Sequence, residues 1–160
     1  MSLLVHAASA PEGELLIFLL EITHPTWAAP LRFAEDVQDW VVTLEDDFEA
    51  TFLAGSFEGD AGSSDDSGVD ERRFRVADED LVLWRLIEAV IGHATPIRVK
   101  LRLYLSTDVT EPLGVVTLDL AEPRLELDRS VSFSATTANT TNRGAPTSRY
   151  TLQNSPGLRR

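Results

Sequence analysis

The sequence predicts a mainly β (α+β) fold: an antiparallel β-sandwich or barrel-like sheet with one packed α-helix at about residues 79–91. Three observations carry this expectation. In residues 96–105, PIRVKLRLYL, apolar and polar residues alternate without a break. A strand turns successive side chains to opposite faces, so Ile97, Val99, Leu101, Leu103 and Leu105 share a core face and Arg98, Lys100, Arg102 and Tyr104 a polar outer one. Elsewhere, short runs with the same period of two are separated by turns and rarely by helices. Finally, residues 81–92, LVLWRLIEAVIG, carry the one helical stripe: Leu83, Leu86, Ile87, Val90 and Ile91, with Arg85 and Glu88 turned away.

The elements follow in order. Residues 2–10 could form a short helix that stops near Pro11 and Gly13. Residues 14–23, ELLIFLLEIT, are apolar on both faces and suit a strand buried on two sides, with a buried helix as the alternative. His24-Pro25 ends it, because proline restricts its predecessor and donates nothing to a ladder. Residues 31–34 and 40–44 read as short strands. The turn Glu45-Asp46-Asp47 makes 40–53 a hairpin, with Phe48, Ala50 and Phe52 on one face of the returning strand. Residues 58–70 are Gly, Ser and Asp with almost no apolar content, which predicts a mobile acidic loop. At 72–76, Phe74 and Val76 point in and Arg73 and Arg75 out.

Asp78 is the expected N-cap of the helix, Glu79 and Asp80 its acidic first turn, and Gly92 its stop. Beyond the strand at 97–105, residues 114–120 and 124–127 read as two further strands, and 130–135 as a last one with Val131 and Phe133 inward. The domain division is then a single β-rich domain over 1–135 and a polar C-terminal arm over 136–160, ordered by neighbouring subunits.

Composition narrows function. A chain of 160 residues, 43% hydrophobic and 25% charged, can bury one substantial core. No run approaches the roughly 18 apolar residues of a membrane span, and the start lacks the basic segment of a secretory signal. There is no cysteine, so disulfides, thiolate nucleophiles, iron–sulfur clusters and cysteine-bound zinc are excluded. With a net charge of −12 and Lys100 the single lysine, no specific nucleic acid is expected as partner.

No constellation of catalytic type stands out. His6, His24 and His93 have no metal spacing and read as structural or solvated. Asp60, Asp65, Asp66, Asp70 and Glu71 do not follow a calcium-loop pattern. There is no Gly-x-Ser-x-Gly elbow and no phosphate-cradling loop. Asp46 and Asp47 read as a hairpin tip. The expectation is therefore no enzyme, no cofactor and no metal. Trp84 reads as helix packing. Trp27, in a loop flanked by Pro25 and Pro30, is the candidate interface anchor, with burial against its own chain the alternative. In the arm the interface candidates are Asn139, Asn142, Arg143, Arg149 and Tyr150.

Several segments resemble, in order, those of a known family. Leu19-Leu20-Glu21-Ile22-Thr23-His24-Pro25 resembles a strand ending in His-Pro, and Pro30-Leu31-Arg32-Phe33-Ala34 the strand after it. Phe52-Leu53-Ala54-Gly55-Ser56-Phe57, the helix and 99–106 follow. Arg149-Tyr150 and Asn154-Ser155-Pro156-Gly157-Leu158 resemble a closing Phe-Pro-Gly-Leu pattern, with Ser155 in place of the aromatic. The family is that of short minor tail proteins of long-tailed bacteriophages, a domain of unknown function. The resemblance implies a structural virion protein of the tail tip or baseplate, made in the host bacterial cytoplasm. It would form a homo-oligomeric ring, a hexamer before a trimer, between the tail tube and the receptor-binding hub, with tube and hub proteins as partners. A carbohydrate- or receptor-binding β-sandwich module is the alternative.

Overall fold

β1 (Leu16–Thr23) lies at the centre of the fold and is buried along most of both faces, as its largely apolar run predicts, with Phe18 38% exposed. The computed structural model describes residues 13–55, 57–59, 63–64 and 70–137. The candidate residues Asn139, Asn142, Arg143, Arg149 and Tyr150, the segment 2–10 and the arm beyond Thr137 lie outside the described residues.

After β1 come β2 (Leu31–Ala34), β3 (Trp40–Thr43), β4 (Glu49–Ala54), β5 (Phe57–Gly59), β6 (Ser63–Ser64) and β7 (Asp70–Ala77). A helix, α1 (Val82–Val90), then leads to β8 (Arg98–Leu105), β9 (Gly114–Leu125) and β10 (Ser130–Thr136). The chain is mainly β with one packed helix, as expected. The strands form one mixed sheet in the order β3-β4-β2-β1-β8-β9-β10-β7-β5, with β6 added on β7. All pairs are antiparallel except β2 and β4, whose two parallel pairs are Phe33 with Leu53 and Ala34 with Ala54. Glu58, Gly59, Ser63, Ser64 and Asp70, in the stretch read as a loop, join ladders with or within β7.

The sheet curls because β4 and β5 are one run of chain broken only at Gly55-Ser56. One part pairs with β2 and the other with β7, so the two ends of the sheet meet. Gly55 makes this joint close-fitting: a Cβ there would lie 3.3 Å from the Phe33 ring, which would have to give by a few tenths of an ångström. The curled face encloses the main core. Leu20, Ile22, Val99 and Leu118 meet Phe57, Phe74, Val76, Val131 and Phe133 inside it, and Leu83, Ile87 and Val90 of α1 close one end. Phe74 and Phe133, opposite one another on β7 and β10, stack at 5.5 Å. The outer face of β1 is covered too. The β3–β4 hairpin folds over it and makes a second core from Ile17, Leu19, Ala34, Val42, Ala50, Phe52 and Tyr104.

That hairpin corrects the reading of β8. Arg102 and Tyr104, expected on a polar outer face, are buried, because the hairpin lies against them. A period of two says which residues share a face. It does not say whether that face meets water. Phe48, expected inward, is 57% exposed just outside β4.

Two further expectations shift. Residues 114–120 and 124–127, read as separate strands, are joined through one strand, β9, which ends at Leu125. A bulge opposite Phe133 absorbs the irregularity: Ser132 pairs with Arg124 and Ser134 with Ala121. Glu122 there takes φ 48°, and Pro123 sits where its missing N–H breaks no ladder bond. The helix begins at Val82, with Leu81 in a left-handed conformation at φ 57°, so Glu79 and Asp80 precede it. Asp78 still serves as its cap from a turn away: its carboxylate accepts from the N–H of Leu83 at 3.1 Å and of Trp84 at 2.8 Å. Gly92, at φ 85°, stops the helix as predicted.

Candidate functional site

The strongest concentration of buried charge lies between β1, β8 and the hairpin. β1 is antiparallel to β8 with Leu19 opposite Arg102 and Glu21 opposite Lys100. On the other side of β1, Glu21 is opposite Arg32 of β2. The registers therefore bring Glu21, Arg32, Lys100 and Arg102 onto one face. The hairpin tip adds Glu45. Arg102 donates from Nε to Glu45 Oε1 at 2.8 Å and from Nη2 to Glu45 Oε2 at 3.1 Å. Its Nη2 also reaches Glu21 Oε1 at 3.3 Å, and Arg32 Nε donates to Glu21 Oε2 at 2.7 Å. Arg32 lies over the Phe52 ring, 5.9 Å from its centroid.

The side chain of Arg102 is 1% exposed and that of Glu21 7%. Burying such ions is costly unless each has a partner. Here they alternate in sign: Glu45, Arg102, Glu21, Arg32. The hydrogen bond from Arg102 holds the Glu45 carboxyl below the usual glutamate range, against the opposing effect of its partial burial. Burial pushes the guanidinium of Arg102 down, but the two carboxylates outweigh it and raise it. Its Nη1 is buried with no hydrogen-bond partner among the described residues. Next along β8, burial raises the Tyr104 phenol, whose O–H donates to the Thr43 carbonyl at 2.6 Å. These contacts tie the hairpin to β8 and to β2, and tie both of those strands to Glu21 of β1. The arrangement is chemically a clamp: each carboxylate accepts hydrogen bonds from guanidinium groups.

Sequence reasoning missed this network. From the sequence, Glu45 falls in a polar hairpin turn and Arg102 on a polar outer face. The signal was Glu21, a carboxylate inside an otherwise apolar run buried on both sides, which must find a cation.

The aromatic cluster at the α1 end of the barrel is also local packing. His24 is buried. Its Nδ1 accepts from the Thr26 N–H at 3.3 Å and faces the Thr26 hydroxyl at 2.8 Å, while Nε2 donates to the Thr95 carbonyl at 3.2 Å, which sets the Nε2–H tautomer. His93 meets it edge-on at 5.6 Å. Trp27, the candidate anchor, has its ring 6.1 Å from His24 and is partly buried against the main core. Its indole Nε1 is buried with no partner among the described residues. No group of three or more His, Cys, Asp or Glu side chains that could hold a metal occurs among the described residues.

A second feature lies along the barrel wall where it is least laddered. β2 and β4 share two pairs and β5 and β7 three, so a furrow opens between them. Leu31, Phe33, Leu53 and Val82 line it at the α1 end, beside Glu79 and Asp80. It continues across Ala54 and Gly55 to Glu35, Asp36 and Val37. Leu53 is 57% exposed and Val82 49%. Burial, and the nearby Glu58 carboxylate, raise the Glu35 carboxyl above its usual value.

The family model described as domain of unknown function DUF1833 matches residues 2–150. The chain belongs to that family. The match takes in β1 through β10 and most of the arm, so the DUF1833 unit includes both the clamp and the furrow. No curated protein matches the chain. No helix among the described residues is long and apolar enough to cross a membrane.

Proposed function

We propose that the chain is a structural protein of a bacteriophage tail tip or baseplate, a subunit of a homo-oligomeric ring between the tail tube and the receptor-binding hub. The observation that carries the reading is where the tail-protein-like segments fall. Leu19–Pro25 is most of β1 and its stop, Pro30–Ala34 contains β2, and Phe52–Phe57 spans the joint that closes the barrel. The remaining segments below the arm are α1 and β8. The likeness therefore follows the load path of the fold, the elements that make the wall and its closure, and not a pocket. The buried charges point the same way, since Glu45, Arg102, Glu21 and Arg32 are committed to one another.

A carbohydrate- or receptor-binding module would use an exposed aromatic, and Trp27 was the candidate. Its ring packs on the core, so the ring-subunit reading is the one we adopt.

Quantitative mass spectrometry of purified virions from the host phage tests it. The expected result is this chain in the tail fraction at six or three copies per particle. Its absence from intact virions would overturn the proposal.

A further inference from the structure

The charge of this chain is unevenly placed. Residues 138–160 hold Arg143, Arg149, Arg159 and Arg160, four of the fourteen basic residues, and none of the twenty-six acidic ones. The preceding part therefore carries the whole net charge of −12 and four negative charges more. Within the arm the pattern is basic, apolar, basic: Arg149, then Tyr150, Leu152 and Leu158, then Arg159-Arg160. The furrow on the barrel wall has the complementary pattern. Glu79 and Asp80 stand at one end, Glu35 and Asp36 at the other, and Phe33 and Leu53 lie between.

We propose that the furrow is the receiving site for residues 149–160 of a second copy of this chain. The inference rests on the ring reading above and adds the surface and the chemistry of the contact. Charge complementarity names the occupant. Tyr150 and Leu152 cover Leu53 and Val82, which are otherwise half exposed, and the arginines meet the carboxylates at both ends. A guanidinium placed near Glu35 also offsets the repulsion from Glu58 that helps to raise its carboxyl.

Reach is sufficient. β10 ends at Thr136, opposite Glu71 and Asp119, at the end of the barrel away from α1. From Thr137 to Tyr150 the chain can extend roughly 40 Å, well beyond the roughly 20 Å that the strand from Glu71 to Ala77 covers. An arm given by one surface and received by a different one is a heterologous contact, and repetition of one such contact closes a ring when its rotation allows.

The absence of cysteine makes the test direct. Full-length Leu53→Cys and full-length Tyr150→Cys are purified separately, mixed, oxidised and run on a non-reducing gel. The control pair is Val115→Cys with Tyr150→Cys, because Val115 is 39% exposed on β9, opposite Arg102 and outside the furrow lining. The expected result is a covalent dimer forming at least tenfold faster than in the control. The rate should fall several-fold as salt rises from about 0.05 to 0.5 M, through screening. Equal rates in the two mixtures overturn the proposal. So does cross-linking confined to the Leu53→Cys/Tyr150→Cys double variant as a monomer, which would place the arm on its own furrow. The ring reading stands or falls separately on the virion measurement.

Discussion

Arg102 and Glu45, fifty-seven positions apart, meet side-on: Nε and Nη2 of the guanidinium lie 2.8 and 3.1 Å from the two carboxylate oxygens. The pair fastens the tip of the β3–β4 hairpin to β8. It does so unequally, because the Arg102 side chain is 1% exposed and that of Glu45 37%. Removal of the buried member should therefore hurt more. Arg102→Met strips Glu21 of one of its two cations in a site that is nearly dry, and about 3 kcal/mol of stability should be lost. Glu45→Gln removes a charge that water partly screens and should cost about 1 kcal/mol. Urea denaturation of both variants checks the order, and an equal loss in the two would refute it.

The same pair sets an acid limb. The folded-state value of Glu45 is depressed from about 4.5, so its contribution is fully present above that value and is lost as pH falls through the depressed one. Glu35 works in the opposite sense. Its value is raised, so its ionisation opposes folding and protonation relieves it. Urea midpoints between about pH 7 and pH 3 should fall for the wild type, and less steeply for Glu45→Gln. A slope unchanged by Glu45→Gln would show that other carboxylates carry the limb.

How far the fold was legible follows from what each signal measures. β2 lies at the residues expected of it, and the Glu45-Asp46-Asp47 turn joins two strands as read. Period and turn chemistry are local properties, and they report local structure well. Arg102 and Tyr104 were misread because their burial depends on a hairpin that starts more than fifty residues earlier. The curling of the sheet was equally hidden, since it needs β4 and β5 to pair with different partners. Of the candidate surfaces, the arm was visible in composition, whereas the furrow exists only after β2, β4 and α1 have come together.

Asp78 is a cap that works across a turn. Its two oxygens accept from Leu83 and Trp84, and its own N–H donates to the Arg129 carbonyl at 2.9 Å. Asp78→Ala leaves two helix N–H groups unpaired at a position that is 8% exposed. A loss of about 1–2 kcal/mol is expected, at the upper end of cap deletions. Amide exchange should accelerate in α1 first. Uniform acceleration across the barrel would mean that α1 does not open alone.

Tyr104 separates two ways in which the hairpin could be held. Its ring is fully buried in the second core, and its O–H donates to Thr43 at 2.6 Å. The neighbouring bond from the Thr43 N–H to the Val109 carbonyl, 3.0 Å, ties the same residue of β3 as well. Tyr104→Phe keeps the ring and deletes one bond, so about 1 kcal/mol should be lost. Tyr104→Ala also empties the site and should cost about 3–5 kcal/mol, since the space lies under a hairpin that cannot settle into it without breaking the Glu45 contact. If the two variants were equally destabilised, the hydrogen bond rather than the packing would be what holds β3 down. A loss confined to Tyr104→Ala would assign the hairpin to its apolar face.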